Sequence, residues 1–231
     1  MKMFKELTAS ILRKLGYRLE KCDFSRPPLD MEKGFEEVYV KAKAYTLTSV
    51  ERMYALYKAV QYIVSANVSG DIGRTIYLYD TYEGMTKPGE RDVMIANKYP
   101  AEKKWAEISQ KKDYRDVWFC YASLEEVEKN LRTTKYPEDK LIFVKGNVEE
   151  TIPKITPKQI AILRLDTDWY ASTKHVLAHL FPKLAHGGVL IVDDYGHWQG
   201  AKEAVDEYFK EQNRKIFLIR VDKTGYVGIK I

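Results

Sequence analysis

Three stretches of the sequence end apolar runs in carboxylates. "GGVLIVDDYG", residues 187–196, ends in the adjacent Asp193 and Asp194; "IAILRLDTDWY" carries Asp166 and Asp168 two residues apart; "RTIYLYD" stops at Asp80. Carboxylates crowded at neighbouring strand ends repel one another unless a cation shares their charge, and an oxygen-preferring ion such as Mg²⁺ is the natural one. A carboxylate held beside such a cluster without coordinating could act as a general base. Any single aspartate here could instead cap a helix N-terminus. The pairing of a DxD with a DD on consecutive strand ends is what points beyond capping.

The elements that must bring these groups together are legible from period and punctuation. "TSVE" reads as a capping box with Thr48 at the N-cap, opening a helix whose Val50, Met53, Tyr54, Tyr57, Val60 and Val64 share one face. A strand ending at Asp80 follows. Residues 81–116 are polar and irregular apart from a helix near Ala101–Gln110, a length that suits a lid or substrate loop. Then come "VWFCY", a helix opened by Ser123, the strands "LIFVKG" and "IAILRLD", and a helix from Ser172 to Leu184 stopped by "HGG". The strand "VLIVDD", the helix "GAKEAVDEYFKE", and the strands "IFLIRV" and "YVGIKI" joined through "DKTG" complete the chain. Alternating strands and helices predict an α/β fold: a mostly parallel sheet flanked by helices, with a C-terminal antiparallel hairpin. Ligands of such sheets bind beyond the carboxyl ends of the strands, so every acidic strand end points at one crevice.

At 231 residues the chain reads as one domain over 1–231, with residues 1–47 as an N-terminal extension. The net charge of +5 is spread along the chain without the clustering of a nucleic-acid footprint, which argues against a nucleic-acid partner. Charges at Lys5, Glu6, Arg13 and Lys14 interrupt any signal-peptide core, and no run is long enough to cross a bilayer. Phe4, Leu7, Ile11, Leu12 and Leu15 fall on one helical face, suited to packing or to a partner helix. Cys22 and Cys120 lack metal-like or CxxC spacing and read as reduced thiols, which predicts a cytoplasmic protein with no membrane partner. His175 and His179, one turn apart, have no third ligand in view and read as a packing pair.

The segment "ILRLDTDWYASTKHVLAHLFPKLAHGGVLIVDDYGHWQGAKEAVDEY" closely resembles the macrocin O-methyltransferase (TylF-type) family, and "TLTSVERMYALYKAV", "YLYDTYEGM", "YASLEEV" and "FVKGNVEETIP" extend the likeness over about residues 40–212. The resemblance implies a Rossmann-like fold that uses S-adenosylmethionine and Mg²⁺ to methylate a hydroxyl of a small, sugar-bearing natural product, and it is compatible with a homo-oligomer. It implies that Asp166, Asp193 and Asp194 hold the metal and that Asp168 takes the proton of the acceptor hydroxyl. It places Asp80 at the cofactor's ribose and Asn147 and Val148 beside its adenine, although Asn147 also suits a helix cap. His197 and Trp198 are expected to line the acceptor pocket. On this basis Asp193→Ala is expected to abolish metal-dependent turnover with the fold nearly intact.

One departure stands out. The family's first strand and glycine-rich cofactor turn are missing between Ile72 and Gly73, in "VSGDIGRTIYLYD". Losing them would take a strand from the middle of the sheet. Either the sequence joins residues across a segment of about one strand and helix, which the flanks favour by matching the family right up to the junction, or the chain truly lacks it and is a catalytically degenerate binding or scaffold protein that keeps only the metal end. A separate alternative uses the "DTD" as the metal site of a glycosyltransferase or phosphatase.

Overall fold

The computed structural model describes residues 30–70, 75–111 and 116–231. The apolar face at Phe4–Leu15, Cys22 and the Ile72–Gly73 junction lie outside the described residues. The chain divides into two compact units, Met1–Thr46 and Leu47–Ile231. In the first, helix α1 (Lys33–Ala42) runs into a short 3-10 turn, Lys43–Tyr45, and sets the Phe35 and Tyr39 rings 5.9 Å apart. No described helix is long and apolar enough to cross a membrane.

The second unit contains, in order, α2 (Val50–Ser65), β1 (Ile76–Asp80), α3 (Ala101–Lys111), α4 (Leu124–Arg132), β2 (Leu141–Lys145), α5 (Val148–Thr151), β3 (Ile160–Leu165), α6 (Tyr170–Leu180), β4 (Leu184–Val192), α7 (Gln199–Glu211), β5 (Leu218–Arg220) and β6 (Tyr226–Ile229). The α/β reading holds, with the antiparallel hairpin β5–β6 at the C-terminus. Side chains in β3 and β4 alternate between faces, and both faces are covered. Leu163, Leu165, Leu190 and Val192 pack with Val176, Leu177, Val205 and Tyr208 of α6 and α7. Ala161, Val189 and Ile191 pack on the other side with Ala59 and Ile63 of α2.

Several sequence expectations shift on contact with this packing. The N-cap of α2 is Ser49, whose hydroxyl accepts from Arg52 N at 3.2 Å; Thr48 lies one residue too early. The inward face of α2 is set by Ala59 and Ile63, while Val60 and Val64 are exposed, because the sheet the helix covers selects the face and periodicity alone cannot. Helix α6 begins at Tyr170 and ends at Leu180, where Pro182 enters a 3-10 turn; "HGG" sits inside β4. Gly187 there has φ +78, which a side chain would strain, and its N–H reaches Lys230 O at 2.7 Å.

The strands form two separate sheets: parallel β1–β2, and β3–β4–β6–β5. Among the described residues β1 and β3 share no ladder. Gly70, at φ +147, runs against the β3 edge so closely that a Cβ would come 3.0 Å from Ala161 N.

The hairpin is tied to α2 through one carboxylate. Asp222 accepts from Ser49 Oγ at 2.6 Å, Arg52 Nε at 2.9 Å, and the backbone N–H groups of Thr224 at 2.9 Å and Gly225 at 2.6 Å. Burial alone would raise this carboxyl, but the four donors outweigh it and hold it at about 2. A depressed folded value gives stability that is present above the unfolded value near ~3.9 and lost as pH falls towards 2. Asp222→Ala is therefore expected to cost about 2 kcal/mol at pH 7, with the difference from wild type shrinking in urea melts below about pH 4. An equal difference at pH 3 and pH 7 would assign the loss to packing instead.

Candidate active site

The site stands at the carboxyl ends of β1, β3 and β4. At the end of β3, Asp166 faces outward and Thr167 turns the chain back onto α6: Thr167 Oγ1 lies 2.8 Å from Thr173 Oγ1, and Ser172 Oγ donates to Thr167 O at 2.8 Å. The "ST" two residues after Tyr170 thus fixes the "DTD" turn. Asp168 occupies the left-handed region at φ +55, which a residue other than glycine adopts only where its surroundings demand it. Trp169, the N-cap of α6, gives no side-chain cap; Asp92 Oδ1 accepts the orphan Tyr170 N–H at 2.8 Å from the 81–100 segment.

Asp92 is a residue the sequence reading missed. It is 2% exposed, and its second oxygen accepts from Gly89 N at 2.7 Å. Gly200 in the first turn of α7 makes room for it, since a Cβ there would fall 2.0 Å from Asp92 Oδ1. Nothing in the local pattern of "GERDVM" distinguishes this buried cap from a solvated loop carboxylate.

At the end of β4, Asp193 is buried at 1% exposure and Asp194 starts a turn in which its carbonyl accepts from His197 N at 2.9 Å and Trp198 N at 3.1 Å. Asp193 Oδ2 receives Arg164 Nη2 at 2.5 Å and Nε at 3.2 Å, and Arg52 Nη1 lies 3.3 Å away. Arg164 Nη2 also reaches Asp166 Oδ2 at 3.1 Å, so one guanidinium bridges the two acidic strand ends. Neither arginine was singled out from sequence: Asp193 lies 141 residues from Arg52 and 29 from Arg164, and the bond of Arg164 to Asp166, two residues on, is not signalled by residue type. Asp193→Ala would take from the partly exposed Arg164 and Arg52 the buried carboxylate that pairs them, and a loss of about 1 kcal/mol is expected in denaturant melts.

The remaining carboxyl groups titrate high. Burial first, and then Asp166, pushes Asp168 up to about 7 against one opposing hydrogen bond from Trp198. Asp194 is raised well above the usual range by burial, then by Asp168 and Asp166. Asp193 Oδ1 and Asp194 Oδ2 are buried atoms without a hydrogen-bond partner among the described residues. This all-oxygen, electron-rich set is chemically suited to a hard dication. It is not assembled as a cage: no three metal-ligating side chains converge among the described residues, and Asp193 Oδ2 is engaged by the two arginines.

Asp80 ends β1 with Oδ1 accepting from Tyr82 N at 2.5 Å, and burial raises its carboxyl against that bond. At Cys120, read as a plain thiol, partial burial and then the fields of Asp168, Asp166, Asp194 and Asp80 raise the thiol to about 11. Asn147 caps α5, Oδ1 accepting from Glu149 N at 3.2 Å, and Val148 packs against the main core. The His175 and His179 rings lie 4.1 Å apart, tilted 30° to each other, on α6, with His179 Nδ1 2.9 Å from His175 O. Trp198 is buried at 2% exposure, so it supports the cleft from beneath and does not line it as expected.

Residues 23–228 match the macrocin-O-methyltransferase (TylF) family. The chain belongs to this family. It is 28% identical over 208 residues to demethyldecarbamoylnovobiocin O-methyltransferase of Streptomyces niveus, covering 80% of this chain and 75% of that protein. To mycinamicin III 3''-O-methyltransferase of Micromonospora griseorubida it is 29% identical over 152 residues, 66% of this chain and 56% of that one. The solved structure of the O-methyltransferase NovP superposes with a TM-score of 0.67 at 27% identity, covering 80% of this chain and 82% of that chain. A TylF-family chain with a Rossmann-like methyltransferase fold is an O-methyltransferase, and the glycosyltransferase and phosphatase alternatives fall away.

Proposed function

We propose that this TylF-family chain moves the methyl group of S-adenosylmethionine to a hydroxyl of a sugar-bearing small molecule, with Asp168 as general base and Mg²⁺ held by Asp166, Asp193 and Asp194. The observation that carries it is Asp168 raised to about 7 inside a cluster that also holds two unsatisfied carboxylate oxygens. A base poised near the working pH has the best compromise between being ionised and being basic. The acceptor class follows from the relatives, whose names specify O-methylation of novobiocin- and mycinamicin-type compounds.

Asp168 would take the proton of the acceptor hydroxyl, and S-adenosylmethionine, when bound, would supply the methyl group to that oxygen and leave as S-adenosylhomocysteine. When bound, the cation would lower the pKa of the acceptor hydroxyl and share the cluster's charge. Asp80, at the end of β1, would hold the cofactor's ribose hydroxyls, and Asn147 and Val148 would stand beside its adenine. The described residues 81–111 would border the acceptor side: Ile95 N donates to His197 O at 2.8 Å, Gln199 N to Val93 O at 2.8 Å, and Trp169 Nε1 to Thr86 O at 3.0 Å, so this part of the chain is stitched to both acidic loops. The enzyme acts in the cytoplasm on free small molecules.

The break between β1 and β3 favours one competing assignment, a degenerate family member that has lost the cofactor end. Calorimetry with S-adenosylhomocysteine, followed by transfer of labelled methyl to demethyldecarbamoylnovobiocin with Mg²⁺ or EDTA, separates them. Binding and EDTA-sensitive transfer are expected. A folded protein that binds no S-adenosylhomocysteine would establish the degenerate assignment, and transfer indifferent to EDTA would remove the metal.

A further inference from the structure

Three tryptophans, Trp118, Trp169 and Trp198, form one aromatic cluster beneath the site, with Trp169 and Trp198 edge to face at 5.0 Å and Trp118 6.4 Å from Trp198. Hydrophobic packing explains their rings but not where their N–H groups go. A buried indole N–H needs an acceptor, and a backbone carbonyl serves as well as any. Trp169 takes that ordinary solution at Thr86 O. Trp198 instead donates to Asp168 Oδ1 at 2.9 Å, a side chain that faces repulsion from Asp166 and Asp193.

We infer that Trp198 is a positioning residue, whose indole N–H fixes one oxygen of Asp168 and leaves Oδ2 to meet the acceptor hydroxyl. The inference rests on Asp168 being the base. Among the described residues the indole is the donor found on this carboxylate. Without it, the neighbouring negative charges would swing the side chain outward about a backbone already held at φ +55. Indole is a donor only, so it can orient the carboxylate without competing for the proton. The ring itself cannot drift. It is 2% exposed, its backbone N–H bonds Asp194 O at 3.1 Å, and it forms an antiparallel bridge with Met94 of the 81–116 segment. The loop at Met94 and the base are thereby joined through one residue, by its backbone on one side and its indole on the other.

Trp198→Phe keeps a ring in the cluster and removes the donor; Trp118→Phe disturbs the same cluster without touching Asp168 and serves as the packing control. The four tryptophans give four indole signals in a ¹⁵N-correlated NMR spectrum, and the one missing from Trp198→Phe is that of Trp198. In Asp168→Ala that signal is expected to move while the other three stay. With demethyldecarbamoylnovobiocin as acceptor, kcat of Trp198→Phe is expected to fall about 100-fold, the scale of a misplaced catalytic group, with both KM values unchanged and Trp118→Phe near wild type. A Trp198 signal indifferent to Asp168→Ala, or equal kcat in the two Phe variants, would overturn the inference. Full turnover in Asp168→Asn would overturn the base assignment itself, a result that the Trp198 signal does not influence.

Discussion

Asp194→Asn is expected to make the metal-free protein more stable while abolishing methyl transfer. Asp194 is raised well above the ordinary carboxylate range by burial and then by Asp168 and Asp166, and its Oδ2 has no hydrogen-bond partner among the described residues. A raised folded value means that the folded chain holds a proton the unfolded chain has released, so stability falls as pH rises above about 4. The amide removes that charge and brings a donor among acceptors. A gain of about 1 kcal/mol is the usual size for relieving such a clash, seen as a rise in Tm of about 3 °C at pH 8 for a chain of this length. Millimolar Mg²⁺ should raise the Tm of the wild type and leave the variant unmoved, because a ligand stabilises only the state that binds it. A variant that melts below the wild type at pH 8, or that responds equally to Mg²⁺, would remove Asp194 from the metal site. The contrast with Asp193 is instructive: there two arginines already compensate the charge, and its loss destabilises.

For Asp168→Asn the expected result is a fall in kcat of roughly 10²- to 10⁴-fold, the ordinary worth of a general base, with S-adenosylhomocysteine affinity and Tm retained. The pH profile gives the independent check. Burial and then Asp166 set the Asp168 carboxyl at about 7, and only its ionised form accepts a proton. The wild-type rate should therefore rise about tenfold per pH unit on the acid side and level off above neutrality, with the limb moving to lower pH as Mg²⁺ is added because a nearby cation favours the charged form. The variant should lose this limb. If the residual activity of Asp168→Asn keeps the same limb, another group supplies the base.

The acidic strand ends were readable because strand period and residue type are local properties: "LRLD" and "LIVDD" place Asp166, Asp193 and Asp194 where buried strands stop. The cap of α4 was readable in the same way, Ser123 Oγ accepting from Glu126 N at 3.2 Å. The groups that were missed share the opposite property. Asp92 caps a helix 78 residues away, Arg52 reaches Asp193 across 141 residues, and Asp222 holds Ser49 across 173. No window of sequence contains both partners, so each looks like an ordinary surface charge. The face of α2 failed for the same reason: both stripes of that helix carry apolar residues, and only the sheet beneath chose Ala59 and Ile63.

The sequence by itself determined the alternation of strands and helices, the acidic ends of β3 and β4, and the family motifs, because hydrophobic period, turn chemistry and residue order act over a few residues. Tertiary structure alone decided which oxygens of the cluster are paired with arginine and which are left over, that Trp198 faces Asp168 from the core, and that among the described residues β1 and β3 share no ladder. Burial, field and hydrogen-bond partnership depend on what folding brings near, and it is these that turn a row of aspartates into carboxylates of different charge and task.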